Sequence, residues 1–110
     1  MISVQGQIAA LGEGVLSASP SSMLTVRDQT SVWVESITLV NTVASNRTCN
    51  IYLNRSGTRR RISPKDLTLR PGFAVELNAG YSLQSGQSIE GEASEPNVVE
   101  WTINGLETAQ

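Results

Sequence analysis

The stretch Cys49-Asn50-Ile51-Tyr52-Leu53-Asn54 alternates apolar and polar side chains at every position. Successive side chains of a β-strand point to opposite faces, so this pattern predicts a strand with one buried and one exposed face. Arg55-Ser56-Gly57-Thr58 follows and predicts a tight turn, because glycine adopts a positive φ without strain. Together with the next segment, Arg59-Arg60-Arg61-Ile62-Ser63, it predicts a β-hairpin with a basic tip.

The same period of two recurs along the rest of the chain, in short apolar runs separated by Gly, Pro, Asn or Ser. The longest run, residues 31–41, changes its apolar phase between Val34 and Ile37, which indicates a β-bulge near Glu35-Ser36. Phe73 begins another run and is predicted to point inward. No stretch shows a helical stripe. We therefore predict an all-β fold, an antiparallel β-sandwich or jelly-roll-like arrangement of roughly eight to ten short strands.

The length of 110 residues fits one domain with one core. We predict a single β-sandwich domain over residues 23–110, preceded by an N-terminal arm or edge segment over residues 1–22 that is rich in Gly, Ser and Ala. No apolar run reaches the roughly 18 residues of a membrane span, and Met1 to Gln7 lacks the basic start of a signal peptide. We expect synthesis in the cytoplasm and no membrane partner.

The residue types available for chemistry are few. The chain has no His, and Cys49 is its single cysteine, which removes histidine-based catalysis, zinc sites and an internal disulfide. Cys49 lies among apolar neighbours and is predicted to be a small buried hydrophobic residue. Glu90 and Glu92 share a strand face and could pair for acid and base work or for calcium, but a solvated or interfacial face is favoured. We predict no enzyme activity, no cofactor and no metal.

Charge is distributed unevenly along the chain. Six of the eight basic residues lie between positions 55 and 70, and every charged residue after Pro71 is acidic. The cluster Arg59, Arg60 and Arg61 has three interpretations: a solvated strand edge on which charge prevents unwanted pairing, a contact with an acidic surface of another copy or partner, or nucleic-acid binding. The last is disfavoured, because the basic window contains no aromatic residue for base stacking.

The aromatic residues are the remaining candidates for contact with a partner. Trp33 and Trp101 each lie within a predicted strand, so we expect a core position or an inter-subunit anchor rather than ligand stacking. Tyr52 lies on the polar phase of its strand and is predicted to be the more exposed aromatic residue. Arg59, Arg60, Arg61, Trp33 and Tyr52 are the predicted partner-interface residues.

Several stretches together resemble small virion proteins of tailed bacteriophages. They are Ser36-Ile37-Thr38-Leu39-Val40-Asn41-Thr42, Asn50-Ile51-Tyr52-Leu53-Asn54-Arg55-Ser56-Gly57, Arg61-Ile62-Ser63-Pro64-Lys65-Asp66, Leu77-Asn78-Ala79-Gly80-Tyr81-Ser82-Leu83 and Gly86-Gln87-Ser88-Ile89-Glu90-Gly91. The resemblance covers roughly residues 30–105 and lies in a pattern of strands and turns, so it transfers no functional residue.

The resemblance implies a β-sandwich subunit of the virion, made in the host cytoplasm. It implies self-association, with a trimer favoured, and contact with the major capsid protein or another virion protein. The expected function is that of a capsid decoration or cement protein, which stabilises the shell by bridging major capsid subunits. The alternatives are a tail, neck or fibre-base component and, from another class, a nucleic-acid or small-ligand binding module.

Overall fold

The computed structural model describes residues 9–109, which form ten β-strands and no helix. This part of the chain therefore has no helix that could cross a membrane. The strands are β1 (Ala9–Val15), β2 (Ser21–Thr25), β3 (Thr30–Asn41), β4 (Arg47–Arg55), β5 (Thr58–Arg61), β6 (Leu67–Leu69), β7 (Ala74–Leu77), β8 (Tyr81–Gln84), β9 (Ser88–Ala93) and β10 (Val99–Ala109).

The chain folds as one long antiparallel ribbon, closed at one end by the β4–β5 hairpin. Moving away from this hairpin, the strands pair in reverse order: β4 with β5 and β6, β3 with β7 and β8, β2 with β9, and β1 with β10. β5 and β6 lie end to end along β4, and β7 and β8 lie end to end along β3. The predicted hairpin is confirmed.

Two further pairings, β10 with β3 and β9 with β4, wrap the ribbon into two sheets. The first sheet has the order β1-β10-β3, with β7 and β8 on the far side of β3. The second has the order β2-β9-β4, with β5 and β6 on the far side of β4. A long ribbon wrapped into two antiparallel sheets is the jelly-roll form of the β-sandwich, so the predicted all-β class is confirmed.

The core lies between the sheets and is built from alternate strand positions, as the periodicity predicted. Each fully buried aliphatic side chain contributes about 1.5–3 kcal/mol relative to an exposed one. The inward-facing side chains of β4 and β10 are Cys49, Ile51, Leu53, Val99, Trp101 and Ile103, and all are buried.

The predicted bulge lies at Glu35 in β3. Asn104 pairs with Ser36 and the next residue, Gly105, pairs with Val34, so Glu35 has no partner on β10. The extra residue shifts the alternation by one position, which is why Val34 and Ile37 are both fully buried. A Cβ atom at Gly105 would lie only 2.0 Å from the carbonyl oxygen of Trp33, so glycine is required opposite the bulge.

The described part of the predicted segment 1–22 begins with β1. This strand is the outer strand of the first sheet, so the segment begins at a sheet edge. Residues 1–8 of that segment lie outside the described residues. Gly12 and Gly14 in β1 leave space for the indole of Trp101 on the neighbouring strand, since a Cβ atom at Gly14 would lie 3.1 Å from the ring. The glycines of β1 therefore allow Trp101 to enter the core.

The turn after β3 is held by Asn41, which is buried. Its side-chain Nδ2 donates to the carbonyl oxygens of Ser45 and Leu69, both at 2.8 Å, and its Oδ1 accepts from the backbone N–H of Val43 at 3.0 Å. One side chain therefore joins the end of β3, the turn that follows and β6 of the opposite sheet.

The inward orientation predicted for Phe73 is wrong. Gly72 has a φ of 75°, and β7 begins only at Ala74, so Phe73 belongs to a turn rather than to the strand. Its side chain is 56% exposed, and the guanidinium of Arg70 lies 4.9 Å from its ring centre.

Candidate functional site

The β4–β5 hairpin positions the basic cluster. Ser56 and Gly57 have φ values of 55° and 83°, and two successive positive φ angles are typical of the type I′ turn that matches the twist of paired strands. The turn places Arg59, Arg60 and Arg61 on β5, an outer strand of the second sheet on which all four residues are exposed.

Arg59 is engaged within its own chain. Its Nε donates to Glu90 Oε1 at 2.6 Å, and its guanidinium lies 5.6 Å from the ring centre of Tyr52. The other oxygen of Glu90 accepts from Asn54 Nδ2 at 3.3 Å. Glu90 and Arg59 therefore form an ion pair on the outer face of the second sheet, and Glu90 neutralises the charge of Arg59.

Tyr52 lies at the centre of the same face. Its hydroxyl donates to Glu92 Oε1 at 2.7 Å. Partial removal from water raises the pKa of Tyr52, and the hydrogen bond to Glu92 raises it further. The phenol therefore stays protonated and acts as a hydrogen-bond donor to Glu92.

Two residues of the basic cluster, Arg60 and Arg61, are available for contact together with the exposed Lys65. Arg60 pairs with Leu53, on the phase that faces the core elsewhere in the sheet, but it is exposed because β5 is an outer strand. The Nε of Arg61 donates a hydrogen bond to the carbonyl oxygen of Ser63 at 3.2 Å. Among the described residues, Arg60 and Lys65 have no hydrogen-bonding or ion-pair partner.

Trp33 lies on the other side of the sandwich, on the outer face of the first sheet. Its side chain is 40% exposed, whereas Tyr52 is half-buried, so the expectation that Tyr52 is the more exposed aromatic residue is wrong. The indole Nε1 donates to Glu35 Oε2 at 2.9 Å, and Gly80 leaves the ring uncovered on one side. The bulged residue Glu35 thus fixes the orientation of an exposed indole.

The five predicted interface residues do not form a single site. Arg59 and Tyr52 contact each other on the second sheet, Arg60 and Arg61 extend along its edge, and Trp33 lies on the opposite sheet. Trp101, by contrast, is 8% exposed and belongs to the core.

The sequence suggested an acidic surface on another copy, but its residues and its position on the first sheet were not predicted. Its carboxylates are Glu13, Glu76 and Glu100, which are all exposed and which make no hydrogen bond or ion pair with any described residue. They come from β1, β7 and β10, and only the strand order brings them to one face. We call these three residues and the face that carries them the acidic face.

Catalytic and metal-binding groups are sparse in residues 9–109. This part of the chain contains no group of three or more His, Cys, Asp or Glu residues that could hold a metal ion. Cys49 is buried, as predicted, and removal from water raises the pKa of its thiol to about 12, so the nucleophilic thiolate is strongly disfavoured.

Comparison of the sequence with models of protein families and with curated proteins gives no match. The surfaces themselves, an exposed tryptophan, a basic edge and an acidic face on a jelly roll, are therefore the basis for a function.

Proposed function

We propose that this chain is a structural protein of tailed-phage virions, a capsid decoration or cement protein that stabilises the shell by bridging major capsid subunits. It acts by binding rather than by catalysis. The fold class supports the proposal, since jelly rolls occur in viral capsid proteins, although they also occur in lectins and cupins and a fold alone does not define a function.

The observation that carries the proposal is the exposed indole of Trp33. Tryptophan is enriched among the few residues that supply most of the energy of an interface. The hydrogen bond from Nε1 to Glu35 already satisfies the polar atom of the ring and fixes its direction. A partner can therefore cover the apolar surface of Trp33 without leaving a buried donor unpaired and without ordering a flexible side chain.

The surroundings of Trp33 fit a broad and shallow contact. Its neighbours on β10 and β8 are Leu106, which is half-buried, and Ser82, which is exposed. One anchor on a flat sheet gives a modest affinity for a single copy. On a shell, the same contact is repeated by symmetry, and a subunit that touches more than one capsid protein gains affinity from each simultaneous contact.

The test is co-sedimentation of the purified protein with shells assembled from the major capsid protein encoded with it. We expect Trp33→Ala to weaken shell binding about 30-fold, the loss of about 2 kcal/mol that defines an interface hot spot. Phe73→Ala is the matched control, because Phe73 is also an exposed aromatic residue but lies in the β6–β7 turn. We expect it to bind as the wild type does.

Three results would count against the proposal. Shell binding that survives Trp33→Ala unchanged would exclude Trp33 as the anchor. A wild-type protein that ignores shells but binds purified tails or necks would support the tail or neck alternative. Salt-sensitive retention on DNA without shell binding would support a nucleic-acid binding module.

A further inference from the structure

The acidic face has a regular geometry. Glu13 on β1 pairs with Thr102 on β10, Thr102 with Thr38 on β3, and Thr38 with Glu76 on β7, so the four side chains form one row across the sheet. Three strand spacings of about 4.8 Å place the two carboxylates about 14 Å apart. Glu100 belongs to the next row, between Val15 and Val40. No Lys or Arg lies in either row.

The same face has a depression that can receive a side chain. Its volume is about 280 Å³, and it is lined by Glu13, Gly14, Val15, Glu100, Trp101 and Thr102. Val15 is 49% exposed beside it. Glu13 and Glu100 contribute two carboxylates to this lining, and carboxylates bind a guanidinium by charge-assisted hydrogen bonds.

The basic edge, which we define as Arg60, Arg61 and Lys65, offers the complementary charges. Three cations that have no carboxylate partner within residues 9–109 face solvent there, and three carboxylates that have no ion-pair partner in the same range form the acidic face. The positive charge along β5 also discourages the addition of another strand to this edge, so contact through side chains is favoured over β-sheet extension.

We infer that the basic edge of one copy of this chain docks on the acidic face of a second copy. The contact is heterologous, because it joins two different surfaces, and every copy presents both of them. Such contacts extend from copy to copy and close into a ring when the rotation between neighbours permits. This inference deepens the proposed function, since it names a second copy as the partner of the basic edge.

Charge also sets how the contact responds to salt. Exposed ion pairs are screened over a Debye length of about 10 Å at 0.1 M ionic strength and about 3 Å at 1 M. Light scattering on a sizing column should show a mass above that of one chain in dilute buffer. In about 1 M NaCl the mass should fall to that of a single chain, whereas a contact made by apolar surfaces would persist.

Two double variants test the surfaces separately. Arg60→Glu with Lys65→Glu reverses the basic edge, and Glu76→Lys with Glu100→Lys reverses the acidic face. All four side chains are exposed and have no partner among residues 9–109, so circular dichroism and thermal unfolding should match the wild type. Alone, each variant should have the mass of a single chain in dilute buffer.

Mixing the two variants provides the decisive measurement. The acidic edge of one variant is complementary to the basic face of the other, so the two variants should alternate, and an equimolar mixture should have a mass above that of a single chain. Variants that keep the wild-type mass when alone, or a mixture that remains monomeric, would overturn the inference.

Shell binding separates this inference from the proposed function. A wild-type protein that is monomeric in dilute buffer but binds shells through Trp33 would overturn the contact between copies and leave the cement function standing. A protein that forms the charge-dependent oligomer but never binds shells would support the contact and remove the cement function.

Discussion

At Gly105, the first sheet leaves no space for a side chain. The bulge at Glu35 moves the backbone of β3 toward β10, and a Cβ atom at Gly105 would meet the carbonyl oxygen of Trp33 at 2.0 Å. We expect Gly105→Ala to lower the free energy of unfolding by at least about 3 kcal/mol, at the upper end of the cost of overpacking. Urea unfolding followed by circular dichroism measures the change.

Gly12→Ala is the control for this prediction. A Cβ atom there would lie 3.4 Å from the Trp101 ring, an ordinary contact distance. Its cost should therefore be clearly smaller. Equal stability of the two variants would mean that the bulge is not a close approach of two backbones.

The contribution of Cys49 to the stability of the fold depends on pH. Its pKa is raised from 9.0 to about 12, so the folded state prefers the protonated thiol. The stabilisation by the thiol is complete below pH 9 and is lost as the pH rises toward 12, by at most about 4 kcal/mol. The raised pKa of Tyr52 acts in the same direction, so the thiol has to be isolated by mutation.

The measurement compares the wild type with Cys49→Ala in urea unfolding at pH 8 and at pH 10.5. We expect the stability of the wild type to fall more steeply between the two pH values. Parallel losses in both proteins would show that Cys49 does not titrate differently in the folded and unfolded states.

At the scale of elements, Asn41 connects parts of the chain that are distant in sequence. It satisfies two carbonyl oxygens and one backbone N–H, and it is 3% exposed. Asn41→Ala removes all three hydrogen bonds, and an unsatisfied buried polar group costs about 1–3 kcal/mol. We expect a loss of stability of about 3 kcal/mol, measured by thermal or urea unfolding.

Asn46→Ala is the matched control in the same turn, because Asn46 is exposed and only its backbone carbonyl is hydrogen-bonded. It should change stability by less than about 0.5 kcal/mol, as is usual for surface positions. If both variants lost equal stability, the turn itself rather than the Asn41 side chain would hold β6 in place.

Sequence periodicity predicted single strands well, because alternation is a local property. The strand at Cys49–Asn54, the turn at Gly57 and the bulge at Glu35 are all visible in neighbouring residues. The exposed face predicted for that strand is wrong, because Asn50 is buried and Tyr52 and Asn54 are half-buried. Phe73 shows the limit: it continues an alternating run, but the positive φ of Gly72 keeps it in the turn.

Side-chain exposure and surface charge depend on pairing, which a single sequence does not contain. Tyr52 is half-buried because Arg59 from β5 and Glu92 from β9 lie against it, whereas Gly80 next to Trp33 is too small to cover it. The acidic face likewise exists only because β1 and β10, from opposite ends of the chain, are neighbours.

At the scale of the whole molecule, the ribbon makes folding depend on distant pairing. Among the strand pairs of residues 9–109, only β4 and β5 are close in sequence, and the separation between paired strands grows along the ribbon to β1 and β10. Folds with mainly non-local contacts fold slowly, in milliseconds to seconds. We expect stopped-flow refolding in this range and a clear slowing by Gly57→Val, which disfavours the positive φ of 83° at the hairpin.

The control is Gly12→Ala, which lies on the strand at the opposite end of the ribbon and should mainly speed unfolding. Refolding within microseconds would contradict slow folding by non-local pairing. An unchanged folding rate for Gly57→Val would show that the hairpin does not form early in folding.

Within residues 9–109, one end of the ribbon is closed by the β4–β5 turn, and the other is formed by the β1–β10 pair. A linker between the termini would close the β1–β10 end, and a cut at the exposed Gly57 would open the other. This circular permutant would retain every strand pair of the jelly roll while β1 and β10 became the local hairpin. The order in which the strands assemble would then be reversed within the same final fold.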